Sequence, residues 1–557
     1  MPRKSSPFFP VGLPDAVTLP GTNLFYNAEV SATRYPDKPF VVFFGRALSY
    51  ATFKREAEHL AGYLQRSCGV RAGDRVLLVM QNSPQFVISY YAVLRANAIV
   101  VPINPMCVTK EIGFFASDSQ ARVAIVGQEV FPQLRPLMQS EQKLIERTIV
   151  AAYSDYVDSA TDLRMPDIVS AARESIEDEG VSLWADALSA ELAPDALTSG
   201  PNDVAVIAYS SGTTGRPKGC MLTHRNLMQT AVVNTVWFRT HQDSSQLVVL
   251  PFFHVTSMQG GMNAPIYAGG TIVLMCRWDR ELAAQLISRY RLKLWTAIST
   301  MVIDFLSNPR LSEYDLKCLQ RITGGGAAMP AAVAERLQTL IGAPYIEGYG
   351  MTETAAPTHI NPPERPKRQC LGIPVPGTQA RVIDPDSLNE LATGEVGEII
   401  VCGPQVFQGY WQNETATAEA FIEMDGHRWL RTGDLGFEDE EGYFFLVDRL
   451  KRMINASGFK VWPAEVETQL YLHPAVQEAC VIAARDEHRG ETVKALIVLR
   501  TNESANKVSE QDIIDWAREN MAAYKVPRIV QFVPSLPKAA TGKIQWRVLQ
   551  EAEMARA

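Results

Sequence analysis

The sequence predicts an α/β protein with a large N-terminal body and a smaller α+β unit at the C-terminal end. The first observation is that short apolar runs alternate with amphipathic segments between residues 36 and 275. The second is that this alternation gives way after Asp448 to a different pattern of apolar runs around one helical segment. The third is the length of 557 residues, which is enough chain for more than one buried core.

The strands of the body are predicted from apolar runs bounded by polar or turn residues. They fall at residues 40–44, 74–80, 98–103, 122–127, 203–211, 246–253 and 271–275. Between the first three runs, residues 52–66 and 84–97 are predicted to be helical. This alternation favours a parallel sheet covered by helices on both faces, and we expect the body to hold doubly wound mixed sheets.

Two later segments complete the predicted fold. Closely spaced strand and turn patterns at residues 381–410 favour a small antiparallel, barrel-like part. Beyond Asp448 the sequence predicts a compact, mobile α+β unit, with strands at residues 475–484, 492–499 and 528–533 and a helix near residues 509–521. We therefore expect two domains, residues 1–448 and residues 449–557.

Composition and charge exclude several classes of protein. Hydrophobic residues make up 46% and charged residues 20% of the chain, as in folded globular proteins. The 53 basic and 61 acidic residues give a formal net charge of −8 without a long basic run, which argues against binding to nucleic acid or to an anionic membrane. Eight cysteines are scattered without a CxxC pair, so no metal site is predicted from them.

The apolar segments predict where the protein resides. Residues 76–103 form the most apolar stretch, but Gln81, Asn82 and Arg95 interrupt it, so it does not supply the ~20 apolar residues of a membrane span. Prolines and glycine break residues 1–15, where a signal peptide needs an apolar run. We expect a soluble, cytoplasmic protein with no integral membrane segment.

A glycine-rich loop is the most informative motif in the chain. It covers residues 209–219, follows an apolar strand and reads YSSGTTGRPKG. Backbone amides, hydroxyl groups and a lysine suit a polyphosphate, because each donates hydrogen bonds to its oxygens while glycine lets the backbone come close. The loop does not match the Walker sequence at any register, and a flexible polar hairpin is the alternative for a loop of this composition. Its candidate phosphate-binding residues are Ser210, Ser211, Gly212, Thr213, Thr214, Gly215 and Lys218.

This loop resembles the signature of the adenylate-forming superfamily, which includes acyl-CoA synthetases, amino-acid adenylation domains and beetle luciferases. Four further strings resemble motifs of that family and occur in the same order: GYGMTET at residues 348–354, RTGD at 431–434, DRLK at 448–451 and TGKI at 541–544. The resemblance implies an AMP-forming acyl-CoA synthetase. Such an enzyme adenylates a carboxylic acid with ATP, then transfers the acyl group to CoA, with Mg²⁺ as the metal.

The resemblance also implies which residues hold the nucleoside. Tyr349 would stack on the adenine, and Gly325 and Gly326 would pass close behind the base. Asp434 would accept hydrogen bonds from the ribose hydroxyls, and Arg449 would contact the same sugar.

Three residues are implied as catalytic. Thr352 would contact the α-phosphate, and Glu353 would hold Mg²⁺, a cation that prefers carboxylate and phosphate oxygens. Lys543 would bridge the attacking carboxylate and the α-phosphate, supplying positive charge in the first half-reaction only.

The second half-reaction is implied to need a domain movement. Lys451 occupies the hinge position of the family, at which backbone rotation would swing the C-terminal domain between two poses. Ser457 and Gly458 would line the tunnel for the thiol arm of CoA.

The acid pocket is implied to lie among four segments, residues 252–265, 295–303, 322–330 and 348–356. Their charged or titrating groups are Glu353, already assigned to the metal, and His254, which either gates the pocket or is a packed histidine. An unpaired buried charge is costly, so the acid is expected to carry no charge beyond its own carboxylate. The candidate pocket residues are His254, Gln259, Met301, Met351 and Ala355.

A medium- to long-chain fatty acid is the favoured substrate, because small residues at 324–328 and 355–356 leave room for an alkyl chain. Trp295 argues against a long tunnel, and polar groups such as Gln259 could satisfy a hydroxyl, so a short, branched or hydroxylated acid stays open. An acyl-AMP ligase that loads a carrier protein, and a nucleotide-binding module without catalysis, also stay open. A homodimer is the assembly considered.

Overall fold

Two large β-sheets organise most of the chain in the computed structural model, which describes residues 7–141, 143–210, 217–326, 329–456, 459–486, 490–500, 508–538 and 544–555. The chain divides into two units. The first contains residues 1–379 and 401–430, and the second contains residues 380–400 and 431–557.

Sixteen strands of the first unit belong to the two large sheets. They are β1 (Pro39–Phe43), β2 (Arg46–Ser49), β3 (Arg75–Val79), β4 (Ile99–Pro102), β5 (Val123–Gly127), β6 (Arg147–Ala151), β7 (Val181–Leu183), β8 (Val204–Ser210), β9 (Lys218–Thr223), β10 (Ser245–Val248), β11 (Thr271–Leu274), β12 (Leu294–Thr296), β13 (Arg321–Gly325), β14 (Tyr345–Met351), β15 (Ala356–Ile360) and β16 (Ile373–Pro374).

The α-helices of the first unit alternate with these strands. They are α1 (Phe25–Arg34), α2 (Tyr50–Arg66), α3 (Pro84–Arg95), α4 (Thr109–Ser119), α5 (Phe131–Gln139), α6 (Asp167–Ser170), α7 (Trp184–Ser189), α8 (His224–Trp237), α9 (Val255–Ser257), α10 (Ala264–Ala268), α11 (Arg280–Tyr290), α12 (Ser299–Leu306), α13 (Ala331–Ile341) and α14 (Glu414–Glu419). A π-helical turn, Met258–Asn263, connects α9 to α10, and 3₁₀ turns lie at Tyr153–Tyr156, Leu311–Glu313 and Thr352–Thr354.

Both sheets are mainly parallel, with antiparallel strands at their edges. The seven-stranded sheet has the order β7-β6-β5-β3-β4-β8-β9, and only the β8–β9 pair is antiparallel. The nine-stranded sheet has the order β16-β15-β14-β13-β12-β10-β11-β1-β2, with antiparallel pairs at both ends. The predicted α/β class is thereby confirmed.

One expectation about the first strands needs correction. The uniform alternation of residues 36–104 suggested a single sheet, but β1 pairs with β11 in the nine-stranded sheet, whereas β3 and β4 lie in the seven-stranded sheet. The physical reason is that strand pairing is set by distant partners: Val41 lies opposite Ile272, which local periodicity cannot reveal.

Local sequence determines where the longer helices begin. Ser49 caps α2 by accepting a hydrogen bond from the Thr52 N–H, and Ser83 caps α3 in the same way before Pro84 at the first helical position. Strands β3 and β5 are almost entirely buried, as expected for strands covered on both faces.

A third sheet contains the strands that follow β16. Its strands are β17 (Gln379–Ile383), β18 (Gly397–Cys402), β19 (Phe421–Met424), β20 (His427–Glu438) and β21 (Phe444–Arg449). The order is β17-β18-β20-β19, and β21 pairs with β20 in antiparallel orientation. Among the described residues these strands do not close into a barrel.

The C-terminal part of the second unit is the predicted α+β fold. Its elements are β22 (Ile454–Ala456), β23 (Phe459–Val461), α15 (Pro463–Leu470), β24 (Val476–Asp486), β25 (Gly490–Leu499), α16 (Glu510–Asn520), β26 (Ile529–Phe532) and α17 (Trp546–Met554), preceded by a 3₁₀ turn at Leu450–Arg452. The sheet order is β23-β22-β25-β24, with β26 parallel to β25. Val481, Ile497, Ile513 and Val530 are buried in its core.

No helix within the described ranges combines the length and the apolar character that a bilayer span requires.

Candidate active site

The two ends of the glycine-rich loop are adjacent in the structure. Ser210 ends β8 and Lys218 begins β9, and the two residues lie opposite each other in the antiparallel pair. The Ser210 hydroxyl donates a hydrogen bond of 3.5 Å to the Lys218 carbonyl oxygen. Residues 211–216 of the loop, which include Ser211, Gly212, Thr213, Thr214 and Gly215, lie outside the described residues.

A segment 190 residues further along the chain lies beside the exit of this loop. We call residues 407–411 the bridging segment. Its Trp411 N–H donates to the Gly219 carbonyl at 2.7 Å, and the Met221 N–H donates to the Gly409 carbonyl at 3.0 Å. Gly219 is required here, because a Cβ at this position would lie 2.7 Å from the Ile207 side chain and 3.3 Å from Trp411.

Glu353 is buried and held by the same bridging segment. It lies in the 3₁₀ turn Thr352–Thr354, with an exposed fraction of 7%. The Tyr410 hydroxyl donates a 2.9 Å hydrogen bond to Glu353 Oε1, and the Phe407 N–H donates to the Glu353 carbonyl oxygen at 2.8 Å. Burial and the charge of Glu353 raise the pKa of Tyr410, so its hydroxyl stays protonated and remains a donor.

Lys218 completes this group of side chains. Its Nζ lies 4.9 Å from the centroid of the Tyr410 ring, within range of a cation–π interaction. The structure therefore places Lys218, from the glycine-rich loop, and Glu353, from the GYGMTET motif, against the same tyrosine. Tyr410, which contacts both, was missed by the sequence analysis; its only sequence feature is a GYW string that matched none of the motifs used.

The adenine-site candidates lie where β13 and β14 end. Gly325 is the last residue of β13 and pairs with Gly348 of β14, and a Cβ on Gly325 would be 2.3 Å from the Gly348 carbonyl oxygen. Gly326 follows with φ of 85°. The carboxyl ends of parallel strands are the usual ligand-binding edge of such sheets.

Tyr349 lies two residues before the end of β14. Its ring centroid is 5.8 Å from that of His359, with an angle of 56° between the planes. His359 is fully buried, and burial lowers its pKa to about 3, so the imidazole stays neutral beside Tyr349. Thr352 follows the strand directly at the start of the 3₁₀ turn.

Two consecutive alanines after this turn have left-handed backbone angles. Ala355 has φ of 49° and Ala356 has φ of 79°, values that residues other than glycine seldom adopt. The Thr354 hydroxyl holds the turn by donating to the Ala356 carbonyl at 2.8 Å and accepting from the Met351 N–H at 3.0 Å. Such backbone angles persist where surrounding contacts hold the chain, as the Thr354 hydrogen bonds do here.

The acid-pocket candidates lie on separate elements of the first unit. His254 precedes α9, and its ring centroid is 4.5 Å from that of Phe253. Gln259 is fully buried in the π-helical turn and accepts a 2.9 Å hydrogen bond from Asn263. Met301 lies on α12, Met351 ends β14, and Ala355 is buried.

One small cavity lies near these candidates in the described structure. A cavity of about 10 Å³ lies between β10 and the π-helical turn, with Ser257, Gly261 and Thr296 in its lining. It holds no more than about one water molecule, so it is not an acyl tunnel. Trp295, considered above as an obstacle to a long chain, stacks on Trp278 at 5.8 Å between ring centroids.

Asp434 and Arg449 are paired within the second unit. They lie opposite each other on β20 and β21, and Arg449 Nε is 3.1 Å from Asp434 Oδ1. The Asp434 side chain is 4% exposed and its N–H donates to the Thr432 hydroxyl at 3.1 Å. The preceding Gly433, with φ of 68°, donates its N–H to buried Glu398.

The hinge candidate Lys451 lies in the 3₁₀ turn Leu450–Arg452 of the second unit. Its neighbour Arg452 is largely, though not fully, buried and is paired with Glu467, and its Nη1 lies 3.8 Å from Asp448 Oδ1. Burial raises the pKa of both carboxyls, and the charge of Arg452 opposes that rise. Lys543, Ser457 and Gly458 lie outside the described residues.

The side chains described here can be compared with what Mg²⁺, the metal implied by the family resemblance, needs as ligands. In the described parts of the chain, no three His, Cys, Asp or Glu side chains are grouped so as to hold a metal ion. One buried carboxylate, that of Glu353, is enough for Mg²⁺. This ion keeps several waters and is commonly bound by one or two carboxylates plus substrate phosphates.

Comparison with known proteins gives consistent matches over the whole chain. Residues 28–411 match the AMP-binding enzyme family, and residues 465–543 match the AMP-binding enzyme C-terminal domain. A long-chain-fatty-acid–CoA ligase of Bacillus subtilis is 34% identical over 554 residues, which cover 98% of this chain and 97% of that protein. A feruloyl-CoA synthase of an Amycolatopsis species is 33% identical over 507 residues, covering 90% of this chain and 93% of that protein. The crystal structure of ATP-bound MatB from Rhodopseudomonas palustris has a TM-score of 0.82 at 26% identity, covering 96% of this chain and 99% of that one.

Proposed function

Since the chain belongs to the adenylate-forming superfamily of AMP-binding enzymes, and is an AMP-forming acid–CoA ligase of a family that uses ATP and CoA as substrates, we propose that its acid is a medium- to long-chain fatty acid. The observation that carries this proposal is the full-length similarity to a long-chain-fatty-acid–CoA ligase. The segments expected to form the pocket support it, because Glu353 is their one carboxylate and it is engaged by Tyr410.

The roles proposed for single residues follow the family pattern. Lys218 and the glycine-rich loop hold the β- and γ-phosphates, and Thr352 contacts the α-phosphate. Tyr349, with Gly325 and Gly326 behind the base, holds the adenine. The Asp434–Arg449 pair binds the ribose, and its location at opposite positions of two paired strands orients the two side chains toward each other.

Mg²⁺ is proposed as the metal, with Glu353 as its protein ligand. When bound, the ion would neutralise charge on the phosphate oxygens during adenylation. Glu353 suits this role because its turn is held by hydrogen bonds and the residue is buried, which strengthens the attraction of its carboxylate to a cation. Lys543 is proposed to supply the second positive charge, in the first half-reaction only.

An aromatic acid is the second candidate substrate. The feruloyl-CoA synthase relative is nearly as similar in sequence as the fatty acid ligase, at 33% against 34% identity. The buried side-chain amides of Gln259 and Asn263 lie in the segment expected to wall the pocket. Such amides can form hydrogen bonds with the polar substituents of an aromatic ring.

A panel of acids distinguishes these candidates. We expect acyl-hydroxamate formation, with ATP, Mg²⁺ and hydroxylamine, to reach its highest kcat/KM on straight-chain acids of eight to eighteen carbons. Ferulate, anthranilate and short, branched or hydroxylated acids are included for comparison. A higher kcat/KM for ferulate than for every straight-chain acid would refute the fatty acid proposal. Replacement of hydroxylamine by CoA then separates thioester synthesis from the loading of a carrier protein.

A further inference from the structure

We propose that Tyr410 is a positioning residue that sets the location of the Glu353 carboxylate, the proposed metal ligand, relative to Lys218 of the glycine-rich loop. This inference rests on the proposed role of Glu353 as the Mg²⁺ ligand. Tyr410 belongs to none of the sequence motifs that carry the resemblance to the family, and it lies 57 residues from Glu353 along the chain.

The first step of the argument is that Tyr410 fixes one oxygen of Glu353. Its hydroxyl donates a hydrogen bond of 2.9 Å to Glu353 Oε1. Hydrogen bonds to a metal-binding carboxylate orient it, and their loss commonly costs 10–100-fold in metal affinity. The turn that carries Glu353 is held by the same segment, through the Phe407 N–H.

The second step is that the same ring lies beside Lys218, the lysine of the YSSGTTGRPKG motif. Lys218 Nζ is 4.9 Å from the ring centroid, so the ring face attracts the lysine while the hydroxyl at the ring edge contacts Glu353. The Tyr410 side chain thereby contacts both Lys218, proposed to bind phosphate, and Glu353, proposed to bind the metal.

The third step is that the backbone leaves Tyr410 little freedom. Its flanking residues bond to β9 on both sides, Gly409 through the Met221 N–H and Trp411 through its own N–H to Gly219. Tyr410 itself forms an isolated antiparallel bridge with buried Cys220. The ring therefore keeps its position relative to the strand that follows the loop.

The test measures ATP binding in the absence of any acid, so that no reaction takes place. Calorimetry is carried out at saturating Mg²⁺ and again with excess EDTA. For Tyr410→Phe, which keeps the ring and removes the hydroxyl, we expect the affinity for ATP with Mg²⁺ to fall roughly tenfold and the affinity in EDTA to stay unchanged. For Tyr410→Leu, we expect an additional loss of a few-fold in EDTA as well, because the ring face toward Lys218 is removed.

Two further variants make the result specific. Tyr314→Phe removes a Tyr–Glu hydrogen bond to Glu281, far from the motifs, and we expect it to bind ATP as the parent protein does under both conditions. Glu353→Gln tests the premise, and we expect it to lose the Mg²⁺-dependent part of ATP affinity.

The outcomes separate the two claims. If Glu353→Gln weakens Mg²⁺-dependent binding and Tyr410→Phe does not, the inference about Tyr410 is wrong and the metal role of Glu353 stands. If neither variant changes that binding, the metal role fails and the inference fails with it. Equal losses in Mg²⁺ and in EDTA for Tyr410→Phe would indicate a general structural defect and would also overturn the inference.

Discussion

Single buried histidines carry a pH dependence that composition could not indicate. His224, at the start of α8, accepts a 3.2 Å hydrogen bond from the Leu24 N–H at its Nδ1. It is buried, and burial lowers its pKa to about 4. The native state therefore holds this imidazole neutral, whereas the unfolded chain protonates it near pH 6.5.

We expect this difference to make the protein lose stability as the pH falls from about 6.5 to about 4, because the unfolded state then binds the extra proton. The loss of unfolding free energy caused by His224 approaches about 3–4 kcal/mol below pH 4, at about 1.4 kcal/mol per pKa unit. His224→Gln should flatten the plot of melting temperature against pH in this range. His241→Gln, at an exposed position, is the control; the same slope in His224→Gln as in the parent would contradict the prediction.

At the residue level, the sequence selected candidates that belong to a motif and did not select residues that lie outside one. Lys218 and Glu353 were selected from sequence, and the structure brings both to Tyr410. Tyr410 itself was not selected, because one aromatic residue after a glycine has no local feature that distinguishes a site residue from a core residue. His359, whose burial keeps Tyr349 beside a neutral ring, was missed for the same reason.

At the scale of elements, Arg452 joins four pieces of the second unit. It pairs with Glu467 of α15, donates to the Val481 carbonyl of β24 at 3.2 Å, approaches Asp448 at the end of β21, and lies 5.5 Å from the Trp546 ring of α17. Its side chain is 12% exposed. Of these elements the sequence analysis predicted only β24, from the apolar run at residues 475–484. It did not predict that one arginine after the DRLK motif would contact all four.

We expect Arg452→Met to destabilise the second unit by about 3–5 kcal/mol, because it leaves the carboxylates of Glu467 and Asp448 buried without their cation. Hydrogen exchange should increase in peptides that cover α15, β24 and α17. Adding Glu467→Gln should restore part of the protection, since the uncompensated charge is then removed. Arg518→Met, which breaks an exposed pair with Asp515, is the matched control and should cost less than about 1 kcal/mol. If Arg452→Met and Arg518→Met showed similar hydrogen exchange, the prediction would be contradicted.

At the scale of the whole molecule, the sequence predicted the fold class and several of the strands, but not how the strands assemble into sheets. The apolar runs at residues 74–80 and 122–127 match β3 and β5 closely, because burial on both faces demands a continuous apolar run. The division of the strands between two sheets depends on pairings such as Val41 with Ile272, which only the folded chain reveals. The proposed two-step cycle also belongs to this scale, since it assigns each half-reaction to a different pose of the C-terminal domain.

That cycle predicts opposite defects for two lysine variants. Lys451 lies in a 3₁₀ turn, whose φ values are near the −65° that proline imposes, so Lys451→Pro is compatible with the described turn while it prevents rotation at this residue. We expect this variant to keep acid-dependent pyrophosphate–ATP exchange and to lose at least roughly tenfold in thioester formation from supplied acyl-adenylate. Lys543→Ala should show the reverse, because its charge is needed only while the adenylate forms. Lys451→Ala, which retains backbone rotation, should keep both steps; normal rates for both steps in Lys451→Pro would exclude a hinge at this residue.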